Sequence, residues 1–216
     1  MSSSTQHKRT SLFDIPVTIS PGSGDHLVDV KGPLNTASTV SENLLLEYTE
    51  GMEQGSVGWG CVHRSDLESI MNLHTAATDF AQRTPEIARA QASNLLDHID
   101  QTMQQVVQAK PMSGALGKEN DRALFLIGHD TSLENIAGLL GLPWIIDGRR
   151  DDTLPGGALI FELWRQRKAR AFIVKTYFTA QTLDQMRSST VLSLSNPPSV
   201  FPFLFQLVAE STSPAR

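Results

Sequence analysis

The stretch that most constrains this chain is "RALFLIGHDTSLEN", residues 122–135. Ala123 to Ile127 form an unbroken apolar run, which predicts a strand buried on both faces, as in a parallel sheet flanked by helices. The run stops at Gly128-His129-Asp130-Thr131. An amphipathic pattern follows, with Leu133, Ile136, Ala137 and Leu140 at three- and four-residue spacing, and it closes at Gly141 with Pro143 beyond. A helix start carries unpaired N–H groups and a partial positive charge, so it attracts anions. Gly128 permits a tight turn and close approach of a ligand. His129 falls at the carboxyl edge of the predicted sheet, where open α/β sheets bind ligands. Beside it, Asp130 carries a carboxyl group able to protonate a leaving oxygen. A plainer reading stands alongside: Asp130 or Thr131 as an N-cap, and His129 as an ordinary polar residue at a strand end.

The rest of the pattern arranges itself around this unit. Residues 1–34 are rich in Ser, Thr, Pro and Gly and read as a partly ordered segment with one short strand. Residues 35–121 read as mainly helical. Val40, Leu44, Leu45 and Tyr48 share one face of a first helix, which Gly51 stops. "GSVGWGCV" (55–62) is a loop, and a second helix runs from about Ser65 to Gln82. A third starts at "RTPEIARA", with Thr84 as cap and Pro85 at the first helical position, and continues to about Gln108. Residues 122–205 form the α/β portion. There "PGGALIFELW" and "RAFIVKTYF" are strands around a "RQRKA" turn, and a short helix covers Thr182 to Arg187. Residues 206–216 read as a flexible tail. The charge clusters "RRDDT" (149–153) and "RQRKAR" (165–170) read as solvated loops. Trp59, Trp144 and Trp164 read as packing residues.

Several function classes drop out. The formal net charge of -5 leaves no basic stripe for nucleic acid. The longest apolar stretch, "VFPFLFQLVA", has ten residues, interrupted by Pro202 and Gln206, too few to span a bilayer. One cysteine, Cys61, excludes an internal disulfide. No His, Cys and carboxylate spacing matches a metal site, and no cofactor is implied. "MSSSTQHKRTSLFDIP" lacks the apolar core of a signal peptide, so the chain as written is expected to be cytoplasmic.

Several segments carry a resemblance. "FLIGHDTSLENIAGLLGLPW", "DDTLPGGALIFELWR", "FTAQTLDQMRSST" and "LSLSNPP" resemble, in order, the C-terminal half of bacterial histidine acid phosphatases. This is branch 2 of the histidine phosphatase superfamily, in its phytase and glucose-1-phosphatase group. "SENLLLEYTEGMEQGSVGWG" and "RTPEIARAQASNLLDHI" resemble segments upstream in the same family. The resemblance spans roughly residues 30–200. It implies an α/β fold, part of a phosphoglycerate-mutase-like three-layer α/β/α sandwich with an attached helical region, and a periplasmic setting for the family. It implies that His129 binds the transferring phosphoryl group, that Asp130 is the general acid, and that Thr131 orients phosphate or substrate. Glu42 matches a position that lines the substrate pocket in phytase-like members; a solvated first-turn glutamate is the other reading of it. The implied partner is a phosphomonoester, phytate or a sugar phosphate.

Departures from the family pattern bear on activity. The family's nucleophile lies in an Arg-His-Gly-x-Arg-x-Pro loop. None of His7, His26, His63, His74, His98 or His129 sits in Arg-His-Gly. Ser132 stands where the family often has Asn, and "QLVAESTSPAR" replaces a cysteine-bearing continuation. The chain is therefore expected to carry the His-Asp acid half of a phosphatase site and to have little activity alone. The alternative is a catalytically silent fragment or interaction module that keeps part of the fold. In the family the nucleophile strand lies beside the "GHDT" strand, so a bare sheet edge, open to self-association, is also expected.

Overall fold

The helical half follows its apolar stripes. The structure, a computed structural model, describes residues 18–21, 28–166, 171–203 and 207–209. A short antiparallel hairpin, β1 (Thr18–Pro21) with β2 (Val28–Lys31), leads into α1 (Pro33–Thr49), which has Pro33 in its first turn. A 3-10 turn (Val57–Gly60) and a second one (Arg64–Asp66) precede α2 (Leu67–Thr78). The pattern that predicts one helix to about Gln82 is realised as α2 plus a π-helical turn, Asp79–Arg83. α3 (Pro85–Gln108) begins directly after it. The Thr84 hydroxyl does not cap α3. It donates backward to the carbonyls of Phe80 at 3.0 Å and Asp79 at 3.3 Å, because the wide turn leaves those acceptors within its reach.

α4 (Asp130–Leu140) starts where the sequence predicts and ends at Gly141 in the left-handed conformation. Two small hairpin strands, β3 (Ile145–Ile146) and β4 (Arg149–Arg150), follow. The main sheet is built on β5 (Ala158–Gln166) and β6 (Ala171–Ala180), paired antiparallel from Ala158 with Thr179 to Gln166 with Ala171. The predicted turn between them includes residues 167–170, outside the described residues. After α5 (Leu183–Arg187), β7 (Ser199–Pro202) and β8 (Leu207–Ala209) lie in succession along the other edge of β6. The segment read as a flexible tail thus includes a paired strand, β8.

Among the described residues two larger clusters and a small one, Leu34 with Ala77, form the core. Leu45 and Tyr48 of α1 meet Leu67 and Met71 of α2, together with Leu154 and Leu183, so α5 seals the helical side. Arg187 stacks over Tyr48 at 4.4 Å and donates to the carbonyls of Tyr48 at 2.6 Å and Met52 at 2.7 Å, which ties α5 to the end of α1. The second cluster joins Ala137 of α4 to Leu142, Trp144, Ile146, Phe178, Ala180 and Phe203. At its centre Trp144 stacks on Phe178 with ring centroids 4.2 Å apart. Burying each of these rings contributes on the order of 1.5–3 kcal/mol. Trp59 does not pack: it is 91% exposed with φ 57. Trp164 lies half in solvent, with the Lys175 ammonium 4.2 Å from its ring centroid. No helix of the described residues is long and apolar enough to cross a membrane.

The chain is α/β in class, but the predicted strand at Ala123–Ile127 is not one. Residues 122–129 run without regular secondary structure, and among the described residues no segment forms a ladder with them. The cause is the nature of a strand, which has no internal hydrogen bonds and exists only beside a partner. The described ladders are all antiparallel, and none reaches this apolar run.

One close approach fixes where α4 lies. A Cβ on Gly138 would meet the Arg83 Cα at 2.6 Å and the Arg83 carbonyl oxygen at 2.8 Å, both backbone atoms. Gly138→Ala is expected to destabilise the fold by about 1–3 kcal/mol and to lower the melting temperature by roughly 2–10 °C. An unchanged melting curve in calorimetry would contradict this packing.

Candidate active site

His129 and Asp130 occupy the mouth of α4. His129 is the N-cap, with extended backbone (φ -106, ψ 165), and Asp130 is the first helical residue. The His129 carbonyl accepts from Ser132 N–H at 3.0 Å and Leu133 N–H at 3.4 Å, which starts the helix. The imidazole makes no capping bond to the helix. The Asp130 carboxylate turns back on its own helix. Its Oδ1 accepts from Thr131 N–H at 2.6 Å and from the Thr131 hydroxyl at 3.2 Å. Thr131 therefore holds the Asp130 carboxylate from its own backbone and side chain. His129 and Asp130 are exposed and Thr131 is half-buried. Glu42 is exposed on α1, and no hydrogen bond or ion pair among the described residues joins it to His129, Asp130 or Thr131.

Such a mouth can do two things chemically. Its imidazole and helix-end N–H groups can hold an anion, and its carboxyl can pass a proton to an oxygen held within about 3 Å. The other described histidines serve local structure. His74 shares a 3.1 Å hydrogen bond with the Ser38 hydroxyl, His98 donates to the Gly114 carbonyl at 2.6 Å, and His63 forms a capping box with Asp66. Among the described residues no group of three or more His, Cys, Asp or Glu is arranged to hold a metal ion.

The mouth is held in place from behind, by residues that sequence reasoning passed over. Arg83, at the end of the π-helical turn, donates to Glu134 of α4 at 2.8 Å and to the Leu142 carbonyl just past α4 at 2.7 Å. It also faces Asp151 at 3.5 Å and Asp79 at 3.6 Å, and its guanidinium lies 5.1 Å from the Trp144 ring centroid. Asn135 adds bonds to Gln82 at 3.2 Å and to the Thr131 carbonyl at 2.7 Å. The signal in the sequence was Glu134, a charge inside an otherwise apolar stripe one turn past Asp130.

The "RRDDT" cluster is likewise no solvated loop. Arg149, Asp151 and Asp152 are buried. Arg149 pairs with Asp152, Asp151 accepts from Trp144 N–H at 2.8 Å, and Arg150 bridges Asp151 to Asp79 with two contacts of 2.6 Å. Burial is the stronger influence on Glu134 and raises its pKa to about 8, while the Arg83 hydrogen bond and charge pull it down and Asp151 and Asp79 push it further up.

With this geometry in hand, comparison with known proteins is informative. A family model described as histidine phosphatase superfamily (branch 2) matches residues 35–179. Phytase AppA of Escherichia coli (strain K12) is 38% identical over 173 residues, 79% of this chain and 39% of the relative. A glucose-1-phosphatase of Providencia rettgeri is 28% identical over 171 residues, 78% of this chain and 39% of the relative. Among solved structures, Hafnia alvei phytase in complex with tartrate superposes with a TM-score of 0.74 at 32% identity, over 88% of this chain and 46% of that one. The phytase from Citrobacter braakii superposes with a TM-score of 0.71 at 34% identity, over the same shares. The chain spans about 39% of the length of the curated relatives it matches.

The raised Glu134 pKa sets a pH dependence of stability. In the folded state Glu134 holds its proton up to about pH 8, whereas in the unfolded chain it releases it near the ordinary glutamate value of 4.5. Between those values the folded state binds more protons, so this group's contribution to stability falls as pH rises from about 4.5 to about 8 and is lost above that. Urea titrations at pH 5 and pH 8 are expected to show that loss in the native protein and to show less of it in Glu134→Gln. Equal pH dependence in the two proteins would contradict the assignment.

Proposed function

Because the chain belongs to the histidine phosphatase superfamily (branch 2), we propose that it carries the acid-bearing half of a phosphomonoesterase site. The observation that carries this reading is the placement of Asp130 and His129 together at the start of α4, with Thr131 bonded to the acid. In the reaction a histidine nitrogen attacks phosphorus and the bond to the alcohol oxygen breaks. Asp130 gives its proton to that departing oxygen, while His129 and the helix end hold the phosphoryl oxygens. Water then attacks the phosphohistidine and returns a proton to Asp130 as inorganic phosphate leaves. The names of the relatives, a phytase and glucose-1-phosphatases, point to phytate or a sugar phosphate as substrate.

The attacking histidine belongs to an Arg-His-Gly loop, and no histidine of this sequence has that context. The same observation favours a second reading, a module without catalysis of its own. Loss of a nucleophile lowers turnover on the order of a millionfold, and a lone general acid has no covalent intermediate to form. The 216-residue chain is therefore expected to hydrolyse p-nitrophenyl phosphate at pH 4–6 about a millionfold more slowly than phytase AppA. Asp130→Ala is expected to leave that residual rate unchanged. Turnover near that of the phytase, lost on Asp130→Ala, would overturn the prediction of inactivity while placing Asp130 in catalysis.

A further inference from the structure

Where α4 meets the π-helical turn, charged side chains gather whose charges do not cancel. Arg83 reaches Glu134 at 2.8 Å, Asp151 at 3.5 Å and Asp79 at 3.6 Å. Arg150 reaches Asp79 and Asp151, each at 2.6 Å. Three carboxylates thus face two guanidiniums, and one negative charge is left over when every acid is ionised. Water does not absorb that excess, because the Glu134 and Asp151 side chains are only 2% and 1% exposed. A buried acid without a cation of its own takes up a proton instead. The geometry selects Glu134 as the holder. Among the described residues Arg150 forms no ion pair with Glu134, whose one cation, Arg83, is divided with both aspartates. The other charges around α4 do not offset the excess. Arg149 and Asp152 pair with each other, and His74 of α2 acts on Asp152. Glu86 and Arg89 of α3 are exposed and form no ion pair with the cluster, and Asp130 is exposed one turn ahead of Glu134. The raised pKa of Glu134, about 8, agrees with this count.

We propose that this joint is a proton-gated clamp on α4. While Glu134 holds its proton, α4 is tied to the π-helical turn through Arg83. When that proton leaves to solvent, the surplus negative charge drives Glu134 out of the interior and α4 loosens from the turn. The mouth of the helix lies within reach of the change. Glu134 stands one turn after Asp130, and its neighbour Asn135 joins the Thr131 carbonyl at 2.7 Å to Gln82 of the turn at 3.2 Å. The closed cluster binds one proton that the opened one, with Glu134 in water, gives up near pH 4.5. Opening therefore becomes easier as pH rises from about 4.5 to about 8 and changes no further above that. Resting on the family-site reading above, the clamp keeps the phosphate-holding mouth firm in the acidic range and lets it loosen toward alkaline pH.

The test is read on the 216-residue chain without substrate, so its failure leaves the family-site reading standing, and an inactive chain leaves the clamp standing. The Glu134 carboxyl is followed by carbon NMR, and hydrogen exchange is followed at the amides of Leu133–Leu140. The carboxyl is expected to titrate well above the ordinary glutamate range. Protection of the α4 amides is expected to fall at least about tenfold from pH 5 to pH 8, with no further fall at pH 9. That exchange is expected to depend on urea less than exchange of the β5–β6 hairpin amides, because a local opening exposes less surface than global unfolding. Glu134→Gln keeps an acceptor oxygen for Arg83 and cannot ionise, so its α4 protection is expected to stay flat over the same range. Asp151→Asn keeps an oxygen for the Trp144 N–H and removes one like charge, so it is expected to lower the Glu134 midpoint. Should Glu134→Gln not fold, the native titration and Asp151→Asn decide. A Glu134 midpoint at the ordinary value, or one that Asp151→Asn leaves unmoved, overturns the proposal. So does the same loss of protection in Glu134→Gln, or α4 exchange that follows urea as steeply as the hairpin.

Discussion

The Arg83 guanidinium is the joint on which the arrangement depends. One side chain contacts Glu134 of α4, the carbonyl of Leu142 beyond it, Asp151 after the β3–β4 hairpin and Asp79 within its own turn, while lying over Trp144. It thereby connects the helical half to the sheet half. A planar group with five donors suits such a branching position, where an ammonium would not. Buried ions are costly to leave unpaired, and removing one partner from a buried network commonly costs about 3–5 kcal/mol. The network ties the middle of α4 and the chain just past it to the π-helical turn.

The same joint explains the π-helical turn. Widening the helix at Asp79–Arg83 brings the Arg83 backbone against Gly138, where a Cβ would clash, and delivers its side chain to Glu134. π turns recur at functional positions because they re-aim a side chain without ending the helix. Thr84 then closes the turn with its hydroxyl, and Pro85 starts α3 in a new direction. Local backbone, buried charge and site geometry are thus one solution.

What the sequence made legible divides along a physical line. Helices α1 to α5 were readable because each carries its own hydrogen bonds and its apolar stripe: Leu45 and Tyr48 in α1, Leu67 and Met71 in α2, Ile136 and Ala137 in α4. The β5–β6 hairpin was readable because its partner is adjacent in sequence. The strand expected at Ala123–Ile127 is not formed, since a strand exists only beside a partner and no described ladder reaches the run. "RRDDT" misled for the opposite reason. Its charges look solvated in one dimension, yet Arg149 meets Asp152 and Asp151 meets the Trp144 N–H in the interior. The pair His129–Asp130 was legible from its place before a helix, whereas the Arg83–Glu134 support behind it depends on residues 51 apart in sequence.

The exposed apolar run and the mouth of α4 belong to one segment. Residues 123–128 lead directly into His129 and Asp130, so the exposed apolar run and the helix mouth are neighbours in the chain. Proton transfer and phosphate binding both strengthen when water is excluded, because fixed dipoles act over a lower local dielectric. Here His129 and Asp130 stand in solvent next to bare Phe125 and Ile127.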